Sequence, residues 1–291
     1  MQQYYPFDPD PRPARELPPP GTCDSQFHVF GDRARYPVRP NAGYEMPTAT
    51  VEEALRMHRV LGISHGVIVQ PTTYGVDHSA MLDALRLAGP NYRGCAIGAV
   101  FSECDDATIR QLDDAGVRGA RFNFLKNLNL MPSTADFART VARIAELGWY
   151  VKIQPGAEGI LDTVALIEDL KVPVIIDHMG RPNLEETAQG PTVRKVVELL
   201  GKGNFWVMLS NGHKLSREGA PWKDAQAVAR AYIEAAPDRV IWSTDWPHPI
   251  STKQPPNDGA LLDLLYDYAP DPVERHKILV TNPASLFGFA S

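Results

Sequence analysis

The side chains best suited to chemistry stand where apolar runs stop. PVIIDHMGRP closes an apolar run with His178, VIWSTDWPHP closes another with Asp245, and CDSQFHVF carries Gln26 and His28 two residues apart, on one side of a strand. An ionisable group ending an apolar strand is costly to bury unless paired or used, so His178 and Asp245 lead the candidates. Arg121 alternates with Asn123 in GARFNF, and its planar guanidinium suits a substrate carboxylate. Arg181, three residues past His178, is a second anion clamp or one half of a structural ion pair. Gln154 ends WYVKIQ, and His248 follows Asp245 by three.

Other chemistries fit less well. A hydrolytic metal centre needs about three protein ligands and an open position. Gln26 is a poor ligand and Gln154 supplies no imidazole, so only His28, His178 and Asp245 remain; the expectation is no bound metal and no other cofactor. There is no G-x-S-x-G elbow, Cys23 has no identifiable base, and Lys126 and Lys152 read as surface charges without a mechanistic companion.

Composition narrows the class. Twenty-nine Lys and Arg against thirty-five Asp and Glu give a net charge of −6, with no basic stripe, which argues against nucleic acid as a partner. Three scattered cysteines, no basic-then-apolar leader and no long apolar stretch predict a soluble, cytoplasmic protein away from membranes.

Something must carry these residues to one place. Apolar or β-branched runs at 23–30, 66–70, 95–100, 117–124, 149–154, 173–178, 204–210 and 239–245 alternate with helical patterns. Thr50 and Glu53 have capping-box spacing ahead of EALRMHRVLG, and Gly62 stands ready to end that helix. Eight strand–helix alternations without a dinucleotide G-x-G-x-x-G predict a (β/α)8 barrel; a doubly wound open sheet would use five or six strands. In a barrel the C-terminal strand ends share one mouth, where the polar residues above converge. Seven prolines in residues 1–20 predict an extended arm ahead of a single catalytic domain at 21–291, wrapped on the domain or packed on a second subunit of a homo-oligomer.

CDSQFHVFG, RFNF, IIDHMGRP, STDWPHP and TNPASLFGF together resemble the amidohydrolase superfamily, in the branch related to 2-pyrone-4,6-dicarboxylate lactonase, over residues 21–290. The resemblance implies a distorted (β/α)8 barrel acting on lactones of sugar acids or aromatic breakdown products, in several members without a metal. It implies that His28 and His178 polarise the lactone carbonyl, Asp245 handles the proton, and Arg121 receives a substrate carboxylate. Asn123, Gln26, Gln154, Arg181 and His248 complete the expected binding set. Gln26 departs from the pattern, which usually has histidine there. The favoured activity is isomerisation of a galactaric acid 1,5-lactone to the 1,4-lactone by attack of the substrate's own C4 hydroxyl, since a tethered nucleophile needs less base machinery than water. Hydrolysis of a sugar-acid or pyrone-dicarboxylate lactone is the alternative.

Overall fold

The computed structural model describes residues 4–289. Its apolar runs form eight parallel strands in consecutive order: β1 (Cys23–Phe27), β2 (His65–Val69), β3 (Tyr92–Ile97), β4 (Val117–Asn123), β5 (Tyr150–Gln154), β6 (Val174–Ile176), β7 (Phe205–Leu209) and β8 (Val240–Trp242). Consecutive parallel pairing requires a crossover after each strand, and the long crossover helices are α1 (Val51–Leu61), α2 (Ser79–Ala88), α3 (Asp106–Asp114), α4 (Thr134–Leu147), α5 (Pro191–Leu200) and α6 (Asp224–Ala235), with α7 (Asp258–Tyr268) after β8. This is the (β/α)8 barrel. The segment ILDTVALIEDL, which reads as a full helix, forms only a 3₁₀ turn (Ile160–Thr163) and one α-turn (Val164–Ile167).

Local signals act where expected. The Thr50 hydroxyl accepts from the Glu53 N–H, the Glu53 carboxylate accepts from the Thr50 N–H, and Gly62 takes the left-handed conformation at φ 77° that ends α1.

Alternation sorts the strand side chains into two buried sets. Phe27, Ile68, Ala96, Val151, Ile153, Val174 and Ile176 pack with the helices, whereas Cys23, Val67, Val69, Cys95, Tyr150, Ile175, Met208 and Ile241 fill the barrel, joined by Phe287.

The barrel closes between β1 and the chain just past β8. Asp245 N–H donates to the Gln26 carbonyl at 3.1 Å, and His28 N–H donates to the Trp246 carbonyl at 2.7 Å. β1 also changes register between Asp24 and Phe27. That irregularity separates two tasks: Asp24 turns to His58 of α1 and to Thr244, while Gln26 and His28 turn toward Asp245.

Candidate active site

β6 and β8 are three-residue strands, so His178 and Asp245 stand just past their ends rather than within them. Both have left-handed backbone, φ 49° at His178 and φ 60° at Asp245, and Asn211 after β7 has φ 58°. Such positions cost a non-glycine residue about 1–3 kcal/mol each and persist when the surroundings fix them, as they do at functional sites. The turns aim three polar side chains at one another.

Asp245 is the centre. Its Oδ1 accepts from Gln26 Nε2 at 2.8 Å and faces His28 Nε2 at 3.4 Å, while Oδ2 accepts from Asn211 Nδ2 at 2.9 Å and Lys214 Nζ at 3.2 Å. Burial alone would raise this carboxyl. The Lys214 charge, then His178 and His28, outweigh burial and hold it well below the usual carboxylate range. Asp245 is therefore an anion at neutral pH.

His28 is fixed by its other nitrogen. A backbone carbonyl can only accept, so Nδ1 carries a hydrogen and donates to the Val69 carbonyl at 2.7 Å, aiming Nε2 at Asp245. His178 Nδ1 lies 2.8 Å from Ser210 Oγ and 3.0 Å from Asn211 Nδ2, and its Nε2 lies 3.4 Å from Arg121 Nη2. Burial pushes the His178 imidazolium down to about 4, so this ring is neutral at physiological pH.

Arg121 rises from β4 into the same cluster. Its Nε donates to Asp177 Oδ2 at 2.8 Å, and its Nη2 donates to Gln154 Oε1. Beneath it, Lys152 Nζ lies 2.6 Å from Asp177 Oδ1 in a buried ion pair. Lys152 is thus not a surface charge: it is 1% exposed inside the barrel. Tyr150, Lys152 and Gln154 alternate along the inward face of β5, a strand buried on both faces. Two cations share one carboxylate here, leaving local positive charge below the cavity.

A cavity of about 350 Å³ opens at this cluster, lined by His28, Asp245, His178, Asn211, Lys214, Arg121, Gln154 and Arg181, with Tyr44, Thr72 and Leu128 among the residues around them. Arg181 is partly buried, its Nε has no partner among the described residues, and burial lowers its guanidinium from the ordinary value. A larger cavity of about 500 Å³ shares Arg121 but contains none of His28, His178 or Asp245. The candidate catalytic residues line the smaller one.

The remaining expected residues are placed differently. Gln26 touches the cavity only through Asp245. Asn123 is buried outside the cavity lining, with neither amide atom partnered among the described residues. His248 is fully buried behind the site, its Nε2 3.1 Å from Asp258 Oδ1 and its ring 5.7 Å from that of His213; the left-handed turn at φ 62° carries it away from the cavity. Asn211 and Lys214 are the residues that sequence reasoning did not promote, although both follow the end of β7 within five residues.

A family model for amidohydrolases matches residues 23–289, nearly all of the chain. The chain belongs to the amidohydrolase family. This amidohydrolase is 36% identical to a 4-sulfomuconolactone hydrolase of Hydrogenophaga intermedia over 95% of this chain and 91% of that one. It is 34% identical to a 2-pyrone-4,6-dicarboxylate hydrolase of Comamonas testosteroni, over 92% of this chain and 90% of that one. Identity to a D-galactarolactone isomerase of Agrobacterium fabrum is 28%, over 92% and 91%. Among solved structures, a probable 2-pyrone-4,6-dicarboxylic acid hydrolase of Acinetobacter baumannii with citric acid bound superposes with a TM-score of 0.80 at 26% identity, covering 92% of this chain and all of that one.

The donor set of this amidohydrolase does not suit a hydrolytic metal. Among the described residues no group of three or more His, Cys, Asp or Glu side chains converges on one point. His28 has spent Nδ1 on a carbonyl, Gln26 stands where a further imidazole would be needed, and the Lys214 ammonium already balances Asp245. No helix among the described residues is long and apolar enough to cross a membrane.

Proposed function

We propose that this enzyme opens a lactone bearing a carboxylate or comparable anion, by adding water to the ring carbonyl. The observation that carries the reading is Asp245, a buried carboxylate held anionic on a cavity whose lining also presents Arg121 and Arg181. Arg181, with its buried unpartnered Nε, is matched electrostatically by an anionic substrate group. The names of the two hydrolases at 34–36% identity support a lactone substrate, and the citric acid bound by the Acinetobacter protein supports recognition of a polycarboxylate.

In this mechanism a water held on Asp245 attacks the lactone carbonyl carbon, and Asp245 takes the proton as the C–O bond forms. Asn211 has two amide hydrogens, one for Asp245 Oδ2 and one for His178 Nδ1. The neutral His178 ring stands beside the developing oxyanion, and the Arg121 guanidinium, which can only donate, lies 3.4 Å from its Nε2 and adds positive charge there. The ring C–O bond then breaks and its oxygen recovers the proton, through the close Asp245–His28 contact. A base held so far below the usual carboxylate range is weak, which suits a lactone whose leaving oxygen is already a good leaving group.

The sequence alone favours internal transfer to a second lactone. That reading keeps the same residues with a substrate hydroxyl in place of water, and the 28% identity to the isomerase supports it less than 34–36% supports hydrolysis. Turnover of 2-pyrone-4,6-dicarboxylate, 4-sulfomuconolactone and freshly made D-galactaro-1,5-lactone in oxygen-18 water separates the two. Open acid carrying solvent oxygen is expected. A transient unlabelled 1,4-lactone from the galactaro substrate, with the other two untouched, would establish the isomerase instead.

A further inference from the structure

The N-terminal segment touches the two walls of the cavity that the barrel strands leave unsupported. The Phe7 ring lies 4.6 Å from that of Trp246, the residue after Asp245. Tyr5 N–H donates to the Ser251 carbonyl at 3.0 Å, and Ser251 Oγ in turn donates to the His248 carbonyl at 2.7 Å. Tyr4 meets Tyr44 edge-on at 6.5 Å, and Tyr44 lines the cavity. The segment thus reaches both ends of the loop that begins with Asp245.

Its own anchorage lies elsewhere. Asn257, which caps α7 through Oδ1, uses Nδ2 to hold the Asp8 carboxylate at 2.9 Å and the Asp10 carbonyl at 2.8 Å, and Oδ1 also accepts from Arg12 N–H at 3.0 Å. A Cβ on Gly259 would stand 2.3 Å from the Arg12 carbonyl, so glycine there is what lets the segment lie against α7. On its other side Arg56 of α1 donates to the Pro9 carbonyl. Prolines at 6, 9, 11 and 13 suit an extended strap fastened from outside, since they remove the donors that a helix or an interior strand would need.

We propose that Tyr4–Asp10 is a strap that fixes the Asp245 loop and the Tyr44 wall, with Phe7 as a positioning residue acting on Asp245 through Trp246. The loop from Asp245 to Ile250 has left-handed backbone at Asp245, His248 and Ile250, conformations that must be imposed by neighbours. The Phe7 ring supplies one such neighbour and keeps water from Trp246. The kinetic part of this inference rests on the lactone-opening reading; the positional part does not.

The test compares the full-length protein with Phe7→Ala, Phe7→Tyr and Asn257→Asp. The aspartate keeps the Oδ cap of α7 but removes both Nδ2 donors and sets a carboxylate against Asp8, so it releases the strap without touching Phe7. Amide exchange over residues 244–251 should quicken about tenfold in Phe7→Ala and in Asn257→Asp, while β3 to β6 keep their protection, and Phe7→Tyr should return to the parent rate. On whichever lactone the parent turns over, kcat should fall about tenfold with KM nearly unchanged, again rescued by Phe7→Tyr. Unchanged exchange at 244–251 in both Phe7→Ala and Asn257→Asp overturns the strap, as does a loss of protection spread evenly over the barrel. Should Phe7→Ala fail to fold, Asn257→Asp decides alone. If no lactone is turned over by the parent, the proposed reaction fails and the exchange result still decides the strap.

Discussion

Lys214 Nζ lies 3.2 Å from Asp245 Oδ2, the oxygen that Gln26 and His28 leave free, and it is the strongest of the charges that keep Asp245 ionised inside the barrel mouth. On the proposed mechanism, this pairing sets the acidic limit of turnover. Asp245 must be unprotonated to accept a proton, and its depressed value means that activity is retained as pH falls until well below the ordinary carboxylate range. His178, pushed down to about 4, adds no inflection near the usual imidazole value either.

Lys214→Met should move the acid limb of kcat/KM upward by about one pH unit, because the loss of an opposite charge within about 4–6 Å raises a carboxylate. The plateau above pH 7 should survive in part. A pH–rate profile for Lys214→Met that overlays the parent would show that Lys214 does not set the ionisation of Asp245.

Arg121 holds two partners with one rigid fork, Asp177 through Nε and Gln154 through Nη2. A lysine offers one ammonium on a flexible stem and cannot reproduce both while still facing the cavity. Arg121→Lys is expected to raise KM for an anionic lactone about 10–100-fold, in line with the loss of a charge-assisted contact. Wild-type KM and kcat with a lowered melting temperature would make Arg121 a partner of Asp177 and nothing more.

The residues most legible in the sequence were those whose chemistry conflicts with their run. His178 and Asp245 follow apolar runs, and both line the cavity. Lys152 was not legible because a closed barrel buries both faces of each strand, so alternation alone does not say which face is inside. Lys214 and Asn211 depend on the left-handed turn at Asn211, and His248 is turned away by another at its own position. Periodicity carries no information about either turn, and the register change in β1 that separates Asp24 from Gln26 is equally silent.

Acid should destabilise the fold through its buried histidines. Burial lowers His78 and His178 to about 4 and His213 to about 2, all below the ordinary value of 6.5. A depressed folded-state value means that the unfolded chain takes up protons first. The stability these neutral rings contribute is fully present above pH 6.5 and is lost as pH falls toward about 4 for His78 and His178 and toward about 2 for His213, with a slope of up to about 1.4 kcal/mol per pH unit for each proton taken up. The melting temperature should fall between pH 7 and pH 5, and His178→Gln should flatten part of that fall. A melting temperature that holds constant over this interval would refute the neutral burial of these rings.

Asn211 offers the sharpest separation of geometry from chemistry. Its amide is shared between Asp245 at 2.9 Å and His178 at 3.0 Å, so it holds the base and the histidine ring in place together. Its backbone is left-handed, so leucine or alanine there would mix strain with the loss of the amide. Glycine avoids the confusion, since it adopts that conformation freely. Asn211→Gly should keep the parent melting temperature and lose about 10–100-fold in kcat/KM, the range of a hydrogen bond to a charged group. Asn211→Asp should fold as well but place a second carboxylate against Asp245; like charge raises Asp245, and the acid limb should move up further than in Lys214→Met, which adds no negative charge. Parent-like kcat/KM in Asn211→Gly, with the melting temperature intact, would remove the amide from the mechanism.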